Sequence, residues 1–323
     1  MYHVKTMNKI SKIGLAELDD RFEISDTMEH EDAILVRSAK LHDYDFPAEL
    51  LCIARAGAGV NNIPLDRAAE AGIVVFNTPG ANANGVKELT IAALLLASRK
   101  ISQGITWVKE QAAAGADVAD VVEKGKAAYV GPEIQGKTLG VVGLGAIGVL
   151  VANAAAALGM QIVGYDPFLS VQHALNLTPG VKVVSTLEEL YGQADYISLH
   201  LPMTPETKGT LNDAAFAAMK DGVRIVNLAR GELVDTEALK AALASGKCAA
   251  YVTDFPNSET AAMEGVVAIP HLGASTPESE DNCAMMAARQ VRDYLDNGNI
   301  VNSVNLPVLS MAWAAKNRVC VLT

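Results

Sequence analysis

Short apolar runs alternate with helical patterns along most of the chain, and this rhythm restricts the fold more than any other feature. From Lys137 onward the predicted strands are LGVV, QIVGYD, ADYISLHL, VRIVNLA, AAYVTD and VVAIP. Because each run is almost continuously apolar, both faces of the sheet should be covered by helices. The pattern predicts an α/β fold with a doubly wound parallel sheet.

A second, weaker series of the same kind precedes residue 100. AILVR, LLCIAR and GIVVFN predict strands, with DRAAEA as a short helix, and they indicate a smaller α/β domain. A long helical pattern runs from about Val86 to Glu110, and residues 111–125 are predicted to be a connection. The final helix is predicted from about Pro277 to Asn297.

Composition excludes several classes of protein. The 323 residues suffice for about two domains, and the net charge of -11 argues against a surface that binds nucleic acid. The four cysteines form no CxxC pair, so neither a disulfide framework nor a metal site is indicated. The first residues lack a secretory signal, and glycines interrupt the charge-free stretch at 138–165, so neither export nor a membrane span is predicted. A cytoplasmic location is expected.

The hexapeptide GLGAIG follows a predicted strand and begins a helix. Gly143, Gly145 and Gly148 have the spacing of a dinucleotide-binding turn, in which the helix N-terminus faces a pyrophosphate. Asp166 ends the next strand, where a carboxylate accepts hydrogen bonds from ribose hydroxyls and repels a 2′-phosphate. The sequence therefore predicts a Rossmann-type domain that binds NAD in preference to NADP.

Acid–base groups follow the later strands. Arg230 comes directly after VRIVNLA, and its planar guanidinium suits a carboxylate. His271, in AIPHLGAST, follows the last strand and can exchange a proton with a substrate oxygen. Glu259 could reach the same edge of the sheet, where a carboxylate favours the protonated imidazole.

The chain resembles the D-isomer-specific 2-hydroxyacid dehydrogenases, and most of all the members that act on D-3-phosphoglycerate. The resemblance extends from about residue 33 to residue 307. The stretches that carry it are RAGAGVNNIPLD, NTPGANANGVKELT, LGVVGLGAIG, LHLPMTPET, NLARGELVD and IPHLGAST.

The resemblance implies a catalytic set of Arg230, Glu259 and His271, with His271 as the proton donor. The segment between Phe255 and His271 is short and lacks the Glu-Pro of many members, so Glu264 is a rival to Glu259. Lys87, where a small residue is commoner, has no functional explanation. The cofactor-binding residues implied are Gly143, Gly145, Ala146, Ile147, Gly148, Asp166, His200, Leu201, Pro202, Thr207, Leu228, Ala229, Arg230, Asp254, His271, Gly273 and Ala274.

The same resemblance implies how the substrate is held and how the domains are arranged. Arg37 and Ser38 would bind a phosphate, and the full substrate set is Arg37, Ser38, Ala58, Gly59, Asn82, Lys126, Arg230 and His271, with Lys126 lent by a partner subunit. The predicted domains are a flavodoxin-like substrate domain (1–98 and 284–307), an NAD domain (99–283), and a tail (308–323) resembling the first strand of a truncated ACT domain. A homo-oligomer through the NAD domains is expected.

Two alternatives stay open. One is another D-2-hydroxyacid dehydrogenase, either a glyoxylate or hydroxypyruvate reductase or a D-lactate dehydrogenase. The other is an NADH-sensing, corepressor-like binding protein without turnover.

Overall fold

A computed structural model describes residues 1–312, and these residues form two compact units. The first unit contains Met1–Ala83 and the described residues from Ala274 onward, and the second is Asn84–Gly273. Most of the predicted tail, from residue 313, lies outside the described residues.

The described part of the first unit contains one parallel sheet of five strands. The strands are β1 (Tyr2–Met7), β2 (Phe22–Ser25), β3 (Ala33–Val36), β4 (Cys52–Arg55) and β5 (Val74–Phe76). Their order, β2-β1-β3-β4-β5, is the flavodoxin-like order, and it confirms that part of the predicted fold class. Sequence reasoning missed β1 and β2, because Val4 is the one buried residue of β1 and the apolar pattern is weak there.

Helices cover both faces of this sheet. They are α1 (Lys12–Leu15), α2 (Leu65–Glu70) and α11 (Pro277–Asn297), and the bounds predicted for α11 are confirmed. A Cβ on Gly14 would lie 2.3 Å from the Cβ of Ala284, so a residue without a side chain is needed where α1 meets α11.

The second unit contains a parallel sheet of seven described strands, in the order β12-β11-β10-β9-β6-β7-β8. The strands are β6 (Thr138–Val142), β7 (Gln161–Tyr165), β8 (Lys182–Val183), β9 (Tyr196–Leu199), β10 (Val223–Asn227), β11 (Cys248–Thr253) and β12 (Val266–Ala268). The helices are α3 (Ala83–Ser98), α4 (Ile101–Ala113), α5 (Val118–Gly125), α6 (Ala146–Ala157), α7 (Val171–Leu175), α8 (Leu187–Gln193), α9 (Asp213–Ala218) and α10 (Thr236–Ala244). The strand order reverses between β6 and β9, as in a Rossmann-type doubly wound sheet, so the predicted fold class is confirmed.

The unit boundaries lie earlier than the predicted domain boundaries after residues 98 and 283. Helix α3 buries Leu94 in the core of the second unit, and Ser98 Oγ lies 2.8 Å from the hydroxyl of Tyr196. Helix α11 buries Ala287 in the core of the first unit. Packing therefore assigns nearly all of α3 to the second unit and all of α11 to the first.

The segment 111–125, predicted to be a connection, is largely helical, so this prediction is wrong. Helix α4 continues to Ala113, and α5 begins after Asp117, whose carboxylate accepts hydrogen bonds from the amides of Ala119 and Asp120. The single long helix predicted before it is two helices, α3 and α4. Among the described residues, neither α4 nor α5 has a buried residue.

The charge-free stretch at 138–165 forms β6, a glycine turn, α6 and β7. None of the helices in residues 1–312 is both long and apolar enough to cross a membrane.

Candidate active site

The glycine turn after β6 has the geometry that the sequence predicts. Gly143 has a φ of 94°, and a Cβ there would lie 2.6 Å from the carbonyl oxygen of His200. A Cβ on Gly148 would lie 1.9 Å from the carbonyl oxygen of Gly143. A Cβ on Gly145, by contrast, would meet no described atom within 4 Å. The first and third glycines permit the turn and its packing, and the second leaves the N-terminus of α6 open to a pyrophosphate.

Asp166 lies just beyond β7 and is fixed against this turn. Its Oδ2 accepts a hydrogen bond from the amide of Leu144 and its Oδ1 one from the amide of Phe168, each at 2.8 Å. A carboxylate has about four acceptor positions, so each oxygen can accept a further bond. The side chain is therefore oriented and still able to bind two ribose hydroxyls.

The loop after β9 lies beside the same turn. The Ser198 hydroxyl is 2.9 Å from Nε2 of His200, and burial lowers the pKa of His200 to about 4. The imidazole is therefore neutral near pH 7. Farther along, the Thr207 hydroxyl donates to the carbonyl oxygen of Pro202 at 2.6 Å, which closes the loop.

The last residue of β10, Asn227, positions Arg230. Asn227, which is fully buried, accepts hydrogen bonds from the amides of Ala229 and Arg230 and donates to the carbonyl oxygen of Arg230. The guanidinium of Arg230 lies over the ring of Phe255, 5.2 Å from its centroid. Asn227 and Phe255 were missed by sequence reasoning, since a strand-terminal Asn and a lone Phe carry no signal of their own.

His271 meets the same phenylalanine. Its ring centroid lies 4.3 Å from that of Phe255, with the planes at 47°. One aromatic ring thus contacts both the predicted carboxylate-binding group, Arg230, and the predicted proton carrier.

Asp254 is the buried carboxylate beside His271. Its Oδ2 accepts a hydrogen bond from the amide of Gly273 at 3.3 Å. Burial raises the pKa of Asp254, and this is opposed by the Gly273 amide and by the charge of His271. Asp254 and His271 therefore interact electrostatically, a pairing that sequence reasoning did not predict.

Glu259 and Glu264 are both exposed. Glu259 stands at the start of a short 3-10 helix, and its Oε1 lies 3.4 Å from Nζ of Lys240. Glu264 lies just before β12. The catalytic role of Glu259, and its rivalry with Glu264, stay predictions.

The predicted substrate residues of the first unit follow neighbouring strands. Arg37 and Ser38 come after β3, and Ala58 and Gly59 come after β4. Asn8 has a left-handed φ of 73°, and its Oδ1 accepts hydrogen bonds from the amides of Ser38 and Ala39. Asn8 therefore holds this loop, and it is another residue that sequence reasoning missed.

Two predicted cations already have partners. Nη2 of Arg37 lies 2.7 Å from Oε1 of Glu280. In the second unit, Lys126 is exposed and pairs with Glu123. Lys87 donates to Oδ1 of Asn84 at 2.6 Å, and its function stays unexplained.

The fold and the glycine turn define a class of protein. The chain belongs to the D-isomer-specific 2-hydroxyacid dehydrogenase family, because residues 91–273 match the model of that family's NAD-binding domain. This match confirms the predicted family and the predicted NAD cofactor.

Particular relatives are similar over most of this chain. D-3-phosphoglycerate dehydrogenase of Mycobacterium tuberculosis is 40% identical over 299 residues, which are 89% of this chain and 53% of that protein. D-3-phosphoglycerate dehydrogenase of Bacillus subtilis is 36% identical, over 98% of this chain and 61% of that protein. The chain thus spans little more than half the length of these relatives.

Solved structures match the chain over nearly their whole length. NAD+-bound 3-phosphoglycerate dehydrogenase of Entamoeba histolytica has a TM-score of 0.71 and 28% identity, covering 94% of this chain and 98% of that one. A glyoxylate reductase of Paecilomyes thermophila has a TM-score of 0.76 and 28% identity, with the same coverage. D-mandelate dehydrogenase of Rhodotorula graminis has a TM-score of 0.78 and 26% identity, covering 96% and 99%.

Proposed function

We propose that this chain oxidises D-3-phosphoglycerate to 3-phosphohydroxypyruvate with NAD, the first step of serine biosynthesis. The observation that carries the proposal is the single Phe255 ring that contacts both Arg230 and His271. A 2-hydroxy acid needs one group for its carboxylate and one for the proton of its hydroxyl, and these two side chains supply them.

In the proposed mechanism, Arg230 binds the substrate carboxylate through two parallel hydrogen bonds. His271 removes the proton of the 2-hydroxyl as the C2–H bond breaks and the carbonyl forms. NAD, when bound, supplies the acceptor for the hydride. Asp254, which interacts with His271, stabilises the imidazolium that results. Glu259 is retained as a group that could assist His271, with Glu264 as its rival.

The glycine turn fits the pyrophosphate of NAD, since a Cβ at Gly145 would meet open space at the N-terminus of α6. We assign the ribose hydroxyls to Asp166, whose carboxylate is held by Leu144 and Phe168. The remaining cofactor contacts are proposed for the residues that the family resemblance implies, including His200 and Thr207.

The phosphate group is assigned to Arg37 and Ser38, with Asn82, Ala58 and Gly59 as further substrate contacts. This assignment depends on the family resemblance and on the similarity to D-3-phosphoglycerate dehydrogenases. A protein of net charge -11 needs local cations to bind a phosphorylated acid.

We further propose a cytoplasmic homodimer formed through the NAD-binding units. Helices α4 and α5 bury no residue among those described, and Ile105 within α4 and Val130 shortly after α5 are 53% and 73% exposed. A second copy of the chain would cover this apolar surface and would lend Lys126 to the substrate.

The test is NADH formation with a panel of 2-hydroxy acids at saturating NAD. We expect D-3-phosphoglycerate to give the highest kcat/KM. Faster turnover of glycolate or glycerate would favour a glyoxylate or hydroxypyruvate reductase, a function supported by the similarity to a solved glyoxylate reductase. Binding of NADH without turnover of any acid would favour the sensing protein.

A further inference from the structure

The guanidinium of Arg37 is already occupied by a carboxylate of the same unit. Nη2 of Arg37 lies 2.7 Å from Oε1 of Glu280, which stands in the first turn of α11. The two side chains are 41% and 44% exposed. A phosphate that binds Arg37 must therefore share or displace a contact that Glu280 makes.

The loop that carries Arg37 is held independently of Glu280. Nε of Arg55 donates to the carbonyl oxygen of Arg37 at 3.1 Å. The next two amides donate to the side chain of Asn8. Because these bonds fix the backbone, the carboxylate of Glu280 acts mainly on the guanidinium of Arg37.

The charges of three side chains act on the thiol of Cys283, a buried residue of α11. Burial raises the pKa of the Cys283 thiol, the charges of Arg55 and Arg37 oppose this rise, and the charge of Glu280 adds to it. Arg37, Arg55 and Glu280 therefore all act electrostatically on the same buried sulfur.

We expect Glu280 to compete with a substrate phosphate for Arg37, and not to help Arg37 bind the phosphate. A half-exposed ion pair is weak because water and salt screen it. A phosphate dianion has more charge and more acceptor oxygens than a carboxylate, so it can replace Glu280 on Arg37. The displaced or neighbouring carboxylate would still repel the phosphate and weaken its binding.

We propose that Glu280 is a specificity-determining residue: an internal competitor that occupies Arg37 in the free protein and sets the KM for the phosphorylated substrate. This inference rests on the proposed function, in which Arg37 binds the phosphate. Competition limits the affinity for both phosphorylated substrate and phosphorylated product, and it leaves the chemistry at His271 unchanged.

The test compares Glu280→Gln with Glu278→Gln. Both substitutions remove one carboxylate from the first turn of α11, but the structure pairs only Glu280 with Arg37. We expect Glu280→Gln to lower the KM for 3-phosphohydroxypyruvate by roughly 3- to 10-fold, because the substitution removes one negative charge that repels the phosphate near the surface. The kcat and the KM for hydroxypyruvate should each change by less than about 2-fold, and Glu278→Gln should change all three by less than about 2-fold.

Salt and a third variant separate the possible outcomes. The gain in Glu280→Gln should shrink at high ionic strength, since a half-exposed charge is screened. An unchanged or raised KM would overturn the proposal, because a raised KM means that Glu280 orients Arg37 for binding.

Arg37→Ala distinguishes the assignment of the phosphate to Arg37 from the assignment of Glu280 as its competitor. If Arg37→Ala raises the KM for the phosphorylated acid while Glu280→Gln does not lower it, only the role of Glu280 fails. If Arg37→Ala has no effect, the phosphate assignment and the competitor proposal both fail.

Discussion

The glycine turn of the second unit and the Arg37 loop of the first unit are two proposed anion sites built by opposite means. In the turn, backbone amides form the site, and the glycines leave room for a ligand. Gly143 and Gly148 are required because a Cβ at either position would overlap backbone atoms. In the loop, a charged side chain forms the site, and an exposed carboxylate already contacts it. A site made of backbone amides is therefore fixed by the fold, whereas the anion affinity of a site made of side chains depends on the charges of neighbouring side chains.

We expect the largest effect on the rate from removal of His271, the proposed proton carrier. His271→Ala should lower kcat by about 10²- to 10⁴-fold, the usual contribution of general acid–base catalysis. NAD affinity, measured by titration calorimetry, should change little, since the glycine turn is intact. A variant that keeps more than about a tenth of the rate would remove His271 from the proposed role.

The glycine turn predicts a separation of binding from stability. Gly145→Ala should leave the melting temperature unchanged and weaken NAD binding by about 10-fold or more, because its Cβ meets only the space proposed for the pyrophosphate. Gly148→Ala should lower the stability by about 1–3 kcal/mol, since its Cβ would overlap the carbonyl oxygen of Gly143. Thermal unfolding and NAD titration of the two variants measure the difference. Equal loss of stability in both would contradict the open position of Gly145.

The Arg37 loop predicts an effect confined to phosphorylated substrate. Arg37→Ala should raise the KM for 3-phosphohydroxypyruvate by about 10-fold, since a hydrogen bond to a charged group contributes about 1.5–3 kcal/mol. The KM for hydroxypyruvate should stay within about 2-fold of the original value. Lys40→Ala, which removes an exposed positive charge from the same loop, is the control. Equal effects of both variants would indicate general electrostatics and not a phosphate site.

Asp166 adds selectivity to the backbone site. Asp166→Ala should weaken NAD binding and reduce the preference for NAD over NADP by about 10-fold, through loss of charge repulsion. Steady-state kinetics with both cofactors measure this. Equal use of NAD and NADP by the unmutated protein would contradict the assignment.

The smallest expected effect is a change in the pH dependence of stability. Free histidine has a pKa near 6.5, whereas burial lowers that of His200 to about 4. Between these values the unfolded state binds more protons than the folded state, so the free energy of unfolding rises with pH in this window. His200→Gln should flatten the rise of melting temperature from about pH 4 to 6.5. Identical pH profiles for the His200 variant and the unmutated protein would argue against a lowered pKa of His200.

Sequence reasoning succeeded where the fold imposes a local rule. Continuous apolar runs predicted the strands from β6 to β12 except β8, whose two residues are exposed. The glycine spacing predicted the turn, because sterics require glycine at Gly143 and Gly148. The segment that contains the end of α4 and α5 was misjudged because its many alanines and glycines were taken as a connection, although Asp117 caps the N-terminus of α5.

Contacts between distant residues were not predictable. Phe255 brings Arg230 and His271 together only through the folding of two loops. Asn8 and Ser38 are far apart in sequence and meet because β1 and β3 are neighbours in the sheet. The pairing of Arg37 with Glu280 joins opposite ends of the chain, and no local pattern encodes it.

The central claim is that the chain is a dehydrogenase for a phosphorylated 2-hydroxy acid. The most direct measurement is the kcat/KM for 3-phosphohydroxypyruvate and for hydroxypyruvate at the same NADH concentration. We expect a preference of about 10-fold or more for the phosphorylated acid, which is lost in Arg37→Ala. A preference for hydroxypyruvate in the unmutated protein would contradict the account and assign the chain to the unphosphorylated-acid reductases.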